Sequence, residues 1–164
     1  FSLCIMNPSH MVEEQLMKIY AGSDHGGFEL KKSLIKRLHE LGHQVEDLGT
    51  HSLASCDYPD YAHAVAANVI ADPGSLGLLI CGSGIGISIA ANRHHGIRAA
   101  LCRCSLEAEL SRQHNDANVL VMGGRIVGEA LAIDMLEKFL GTDFEGGRHN
   151  NRIAKIEITQ EGQQ

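Results

Sequence analysis

Residues 76–81, Leu-Gly-Leu-Leu-Ile-Cys, form a continuous apolar run that leads straight into Gly82-Ser-Gly-Ile-Gly86. A strand without polar alternation belongs to a sheet covered on both faces, so the rest of the chain must supply helices to both sides. The flanking sequence meets that demand. Lys18 to Gly22 is a short apolar run, followed by a polar turn and then Phe28, Leu30, Leu34, Ile35, Leu38 and Leu41 at helical spacing. Gly42 stops that helix, and Val45 to Leu48 makes a second strand before a loop from Gly49 to Pro59. Asp60 to Ile70 reads as helix, ended by Asp72-Pro73-Gly74. After the central strand come a helix through Asn92, a strand from Arg98 to Cys102, a helix from Ser105 to Gln113, a strand from Val119 to Met122 and a helix from Val127 to Leu140. Five βα units in series predict an α/β fold with a five-stranded parallel sheet, helices on both sides and right-handed crossovers. The tail from Gly146 reads as an extra C-terminal helix outside the alternation. In such a fold ligands bind beyond the C-terminal ends of the strands.

With 164 residues, 44% of them apolar, the chain can bury roughly two-thirds of its unfolded surface around one core. No repeat, linker or low-complexity stretch divides it, so residues 17–164 read as a single domain. Residues 1–16 lack periodicity, and Met11 after Ser9-His10 gives them the look of an N-terminal extension, in part a cloning scar. Fourteen Lys and Arg against twenty Asp and Glu leave a net charge of −6. That balance argues against nucleic acid or an anionic membrane as partner; any anion must be gripped locally. No apolar run nears the roughly 20 residues of a membrane span. Five cysteines (Cys4, Cys56, Cys81, Cys102, Cys104) are an odd number in a chain large enough to do without disulfides, so a cytoplasmic protein with reduced thiols is expected.

Several loops carry groups with chemistry to offer. The first strand ends in Ser23-Asp24-His25-Gly26-Gly27, setting a carboxylate and an imidazole beside a helix N-terminus, where proton transfer and anion binding are both available. Asp24 serves equally as a helix cap, with His25 filling the turn. The run Cys81-Gly82-Ser83-Gly84-Ile85-Gly86 opens a helix, so several backbone N–H groups can converge on one oxygen as an oxyanion or phosphate cradle. It lacks the dinucleotide spacing, and the next strand ends in Cys102-Arg103 without an acidic residue for a ribose, which counts against a nicotinamide cofactor. Cys81 is either a thiolate favoured by the helix dipole, able to act as base or nucleophile, or a small buried hydrophobe.

The polar run Arg112-Gln-His114-Asn115-Asp116-Ala-Asn118 can hold a proton-transferring histidine, while Asp116 and Asn118 also suit turn chemistry. His114 enters a strand from its N-terminal end, away from the expected binding edge, so a single subunit need not supply the whole site. Arg148 and Arg152 share a helical face that Lys155 extends; paired guanidiniums suit a phosphate, and a solvated face is the competing reading. Glu145 is a candidate partner for Arg148. Cys102-x-Cys104 and His94-His95 lack the two-plus-two spacing of a zinc site, so no metal is expected.

Five segments together resemble the type B ribose-5-phosphate isomerases and the related subunits of galactose-6-phosphate isomerase. They are Gly22-Ser-Asp-His-Gly-Gly-Phe28, Asp57-Tyr58-Pro59, Cys81-Gly-Ser-Gly-Ile-Gly-Ile-Ser-Ile-Ala-Ala-Asn92, Ser111-Arg-Gln-His-Asn-Asp-Ala-Asn118 and Glu145-Gly-Gly-Arg-His149. They occur in order between Met17 and about Ile158. The resemblance implies a Rossmann-like three-layer α/β/α sandwich, assembled as a homodimer or dimer of dimers with sites between subunits. It implies a metal-free and cofactor-free isomerase that interconverts ribose 5-phosphate and ribulose 5-phosphate through an enediolate. By the same resemblance Cys81 shuttles a proton between C1 and C2, while Ser83 and the amides of Gly82, Gly84 and Gly86 stabilise the enediolate oxygen. His114, with Asp24 nearby, would open the furanose ring, Asn115 would hold sugar hydroxyls and Tyr58 would line the pocket. His25, Arg125, Arg148 and Arg152 would bind the phosphate. Part of the family carries a glutamate base in the glycine loop where this chain has Ile87, so the Cys-dependent subtype is expected. Two alternatives are an isomerase of allose or galactose 6-phosphate and a non-catalytic sugar-phosphate binder. Retention of Cys81, Ser83, Asp24 and His114 speaks against the binder.

Overall fold

The computed structural model describes residues 16–158. Its elements are β1 (Lys18–Ser23), α1 (Phe28–Glu40), β2 (Gln44–Asp47), α2 (Tyr58–Ala71), β3 (Leu76–Cys81), α3 (Ile85–Ala91), β4 (Ala99–Leu101), α4 (Ser105–Asn115), β5 (Val119–Gly123), α5 (Glu129–Leu140) and α6 (Arg148–Ile153). The expected extension, residues 1–16, lies outside the described residues except for Leu16. One sheet, ordered β2-β1-β3-β5-β4, is parallel throughout. Helices cover both faces, giving the expected three-layer α/β/α sandwich with α6 appended.

The pleat divides the core in two. Leu76, Leu78 and Ile80 of β3, with Leu120 and Met122 of β5, face Leu34 and Leu38 of α1 and Met135, Leu136 and Phe139 of α5. Leu79 and Cys81, with Val119 and Val121, face Val65 and Val69 of α2 and Ile87 of α3. All six residues of β3 are buried, which accounts for its unbroken apolar sequence. Each fully buried Leu or Ile contributes roughly 1.5–3 kcal/mol of apolar transfer.

Helix ends explain where the sequence-based boundaries shift. Gly42 adopts φ +85°, and Gly42 N–H and His43 N–H donate to the carbonyls of His39 and Leu38, closing α1 with the pair of bonds that a left-handed residue allows. Helix α2 starts at Tyr58, two residues before the expected start, because Pro59 fits the first turn, where its missing N–H costs nothing. Helix α4 runs to Asn115, so His114 sits on its final turn and not in a loop. Strand β2 lies one residue earlier than expected, α5 starts at Glu129 rather than Val127, and α6 is only six residues long.

From β1 the chain steps outward to β2, then returns to place β3 on the other side of β1. Connections from neighbouring strands therefore leave in opposite directions, opening a crevice beyond the C-terminal ends of β1 and β3. Ser23 pairs with Ile80 there, so the Asp24-His25 loop and the Cys81-Gly82 loop emerge side by side.

Candidate active site

The crevice is a cleft of about 360 Å³ lined by Asp24, His25, Tyr58, Cys81, Gly82, Ser83, Gly86, Arg125 and Ile126. Eight of the residues singled out in the sequence thus converge on one place. Cys81 ends β3 with its residue only 4% exposed, and Gly84 N–H points at its Sγ from 3.2 Å. Gly84 can aim its amide this way because it adopts φ +78°, and a Cβ there would meet the Met122 backbone at 2.9 Å. Ser83 Oγ accepts Ile85 N–H at 3.2 Å, which leaves its own O–H free to donate into the cleft.

The β1 loop is held from both sides. Asp24 Oδ1 accepts Gly27 N–H at 3.1 Å and Asp24 N–H donates to Ile80 O at 3.2 Å; the N-cap of α1 is Gly27, without a side-chain cap, so Asp24 braces the turn before the helix instead of capping it, and it also lines the cleft. His25 Nδ1 accepts Cys56 N–H at 3.3 Å, which assigns the proton of the neutral ring to Nε2. Gly124 and Arg125 donate their N–H groups to Cys81 O and Gly82 O at 2.8 and 3.0 Å. The Arg125 guanidinium lies over Gly82, where an added Cβ would stand 3.3 Å from Nη1. Tyr58 lies across Gly86 on the opposite side.

His114, Asn115 and Arg152 are not part of this cleft. They line a second pocket of about 330 Å³ with His149, Ile153 and Ile156. Exposed Arg148 begins the same short helix. Gly123 at the end of β5 pairs with Cys81, whereas His114 precedes Val119 at the other end. The four residue steps of β5 alone put on the order of 13 Å between the two sites. The two ends of the strands carry the two halves of the predicted set.

His149 escaped the sequence reading. It is buried, and its ring stacks on His114 with centroids 4.5 Å apart. Its Nε2 lies 3.5 Å from Glu145 Oε2 and has no hydrogen-bond partner among the described residues, so the expected Glu145–Arg148 pairing gives way to a Glu145–His149 approach. Burial, then the charges of His114, Arg148 and Arg152, hold the His149 imidazole below the usual histidine pKa. The clue available in sequence was its position three residues before Arg152, on the same helical face.

His114, Glu145 and His149 bring one ligand atom each within 4.8 Å of one another. The two rings are only 13° from parallel, so in this arrangement both cannot direct a lone pair at one ion, and Arg148 and Arg152 add repulsion to any cation. Cys102 is unsuited to base chemistry, since burial pushes its thiol up to about 12.

A switch-point crevice that brings together a buried thiol, a backbone amide aimed at it and a guanidinium offers the groups that proton movement on an anionic substrate requires. Comparison with known proteins gives that class its place: the family described as Ribose/Galactose Isomerase matches residues 19–156, and the chain belongs to it. A ribose-5-phosphate isomerase B of Escherichia coli K12 is 49% identical over 141 residues, covering 86% of this chain and 95% of its own. The Clostridium thermocellum ribose-5-phosphate isomerase B structure is 50% identical with a TM-score of 0.84, covering 85% of this chain and 95% of that one. The Mycoplasma genitalium ribose-5-phosphate isomerase B, solved with bound ribulose 5-phosphate, is 42% identical with a TM-score of 0.83, covering 87% of this chain and 95% of that one.

Proposed function

We propose that this chain is a type B ribose-5-phosphate isomerase whose working site joins the Cys81 cleft of one copy to the His114 pocket of a second. The family membership and the isomerase relatives support the reaction. The observation that carries the site assignment is the Cys81 sulfur facing the Gly84 amide at the mouth of the switch-point crevice.

In the aldose-to-ketose direction the Cys81 thiolate takes the proton from C2. The C2–H electrons form a C1–C2 double bond, and negative charge moves to O1. The Ser83 hydroxyl and the amides of the Gly82–Gly86 turn meet that charge. The Cys81 thiol then returns the proton to C1, the O2 proton passes to O1, and the carbonyl reforms at C2, which leaves a hydroxyl on C1 and restores the thiolate. Removing one such donor typically costs about 10²–10³ in rate, because a preorganised donor needs no rearrangement as charge appears. His25 through Nε2–H and Arg125 hold the phosphate from the cleft side.

His114, Asn115, Arg148 and Arg152 lie at the wrong edge of the sheet to act on the same sugar within one chain. Tyr58 and Ile126 at the cleft and Ile85 and Ile89 on the adjoining α3 are exposed apolar side chains, a surface of the kind that a second subunit covers. In the joined site His114 of the partner subunit moves the proton between O4 and O1 that opens the furanose, near Asp24. Asn115 of the partner subunit holds sugar hydroxyls, and the partner's Arg148 and Arg152 close on the phosphate.

The test is ribose 5-phosphate incubated with the purified protein in heavy water, followed by NMR at C1 and C2. The reading requires deuterium incorporation and ribulose 5-phosphate formation in the native protein, with both lost in a folded Cys81→Ala variant. Phosphate-sugar binding without exchange would assign a binder instead.

A further inference from the structure

We propose that Arg98, Arg112 and Asp116 form a positioning clamp that sets the pose of His114 and Asn115. The proposal rests on the two-copy reading of the site. Helix α4 ends directly after those two residues, and the last carbonyls of any α-helix have no partner within the helix. Here two arginines supply the partners. Arg98 Nε donates to Asn115 O at 2.9 Å and to Asp116 O at 3.0 Å, while its Nη2 donates to Asp116 O at 2.8 Å. Arg112 Nη1 donates to Ala117 O at 2.6 Å.

The same guanidiniums grip the Asp116 carboxylate from two sides. Arg98 Nη2 reaches Oδ2 at 3.2 Å, and Arg112 Nη1 reaches Oδ1 at 3.0 Å. Asp116 is the one described residue other than glycine with positive φ, at +44°. A left-handed turn at a residue with a Cβ is disfavoured by itself and persists where surrounding bonds impose it. Asn118 completes the frame, accepting Arg98 N–H at 2.8 Å and donating to Gly96 O at 2.8 Å. The chain therefore leaves α4 along a path set by a residue 17 positions upstream, in the segment that feeds β4.

None of the three side chains lines the Cys81 cleft, and none belongs to the His114 pocket. Their effect on the reaction passes through the backbone of Asn115 to Ala117. Loosening it lets the imidazole stray from the sugar of the facing copy while the thiol and its amides stay in place. A misplacement of about 1 Å can cost on the order of 10²-fold in turnover.

The experiment uses the full chain with Arg98→Met, Arg98→Lys and Asp116→Asn. Steady-state kcat and KM on ribose 5-phosphate are measured beside the melting temperature and the Cys81 alkylation rate, read by peptide mass mapping. The expected result is a kcat loss of about 10- to 100-fold in Arg98→Met, with KM within about threefold and Cys81 alkylation at the native rate. Arg98→Lys, which keeps one charged donor, should recover part of kcat, and Asp116→Asn should fall between. Native kcat in folded Arg98→Met and Asp116→Asn overturns the clamp. So does a kcat loss matched by equal loss of folded protein and faster Cys81 alkylation, since that marks general unfolding. If Arg98→Met does not fold, Asp116→Asn and Arg98→Lys decide by the same criteria. Absence of isomerisation in the native protein would overturn the functional reading itself, a separate outcome.

Discussion

Replacing Gly86 with alanine should raise or preserve stability while removing most of the activity. Gly86 is the second residue of α3 and has no left-handed φ, so a helical alanine is allowed by the backbone. Its new Cβ would lie 2.5 Å from Tyr58 Cζ and 2.8 Å from the Tyr58 hydroxyl oxygen. Comfortable carbon contact begins near 3.5 Å, so the ring must retreat by about 1 Å. Tyr58 is 38% exposed and can swing outward at little cost to the core. Gly→Ala within a helix contributes about 0.5–1 kcal/mol, worth roughly 1–4 °C in a domain of this size. The displaced ring leaves the cleft wall misplaced against the sugar, for which about 10- to 100-fold in kcat/KM is expected. A coupled assay of ribulose 5-phosphate formation and a thermal melt on the same sample read both quantities. Native kcat/KM in the variant, or a melting temperature lowered by more than about 5 °C, would refute the reasoning, because either shows that Tyr58 did not yield as described.

Two further outcomes follow from groups outside the cleft. Lys31 is fully buried with its ammonium bonded to Asp47 and, at 2.7 Å, to Thr50 O; burial lowers its pKa and Asp47 opposes that shift. Lys31→Met should destabilise the fold by about 1–3 kcal/mol, since the Thr50 carbonyl loses its donor, and denaturant titration measures it. His149 has a lowered pKa in the folded chain, so the unfolded chain binds more protons between that value and the ordinary 6.5. Its contribution to stability is therefore whole above pH 6.5 and shrinks as the pH falls toward the folded pKa. The melting temperature of His149→Asn should fall less steeply between pH 6.5 and 5 than that of the native protein; parallel curves would remove His149 as the cause.

The cleft was legible because its parts are local. An apolar run ending in cysteine, a glycine turn opening a helix, and an Asp-His pair at the neighbouring strand end each follow from the backbone they occupy. Parallel pairing of β1 with β3 then brings them together. The other half was harder to read. Sequence spacing ends α4 at Gln113, but Arg98, from a different segment, carries the helix through His114 to Asn115. His149 is buried by stacking on a ring 35 positions away, and Glu145 turns to it instead of to Arg148. Such contacts have no periodic signature. The two pockets lie at opposite ends of the strands, and the position of His114 before β5 was the one trace of that separation in the sequence.

Mixing two inactive variants tests the joined site most directly. In the proposed dimer Cys81→Ala removes the base and His114→Asn the ring-opening group, so neither variant alone should turn over ribose 5-phosphate. After subunit exchange at equal concentrations, half the dimers pair one of each. One of their two sites then combines an intact cleft with an intact histidine, so activity should return to about one quarter of the native value. No recovery in a mixture shown by native mass spectrometry to contain the mixed dimer would contradict the account.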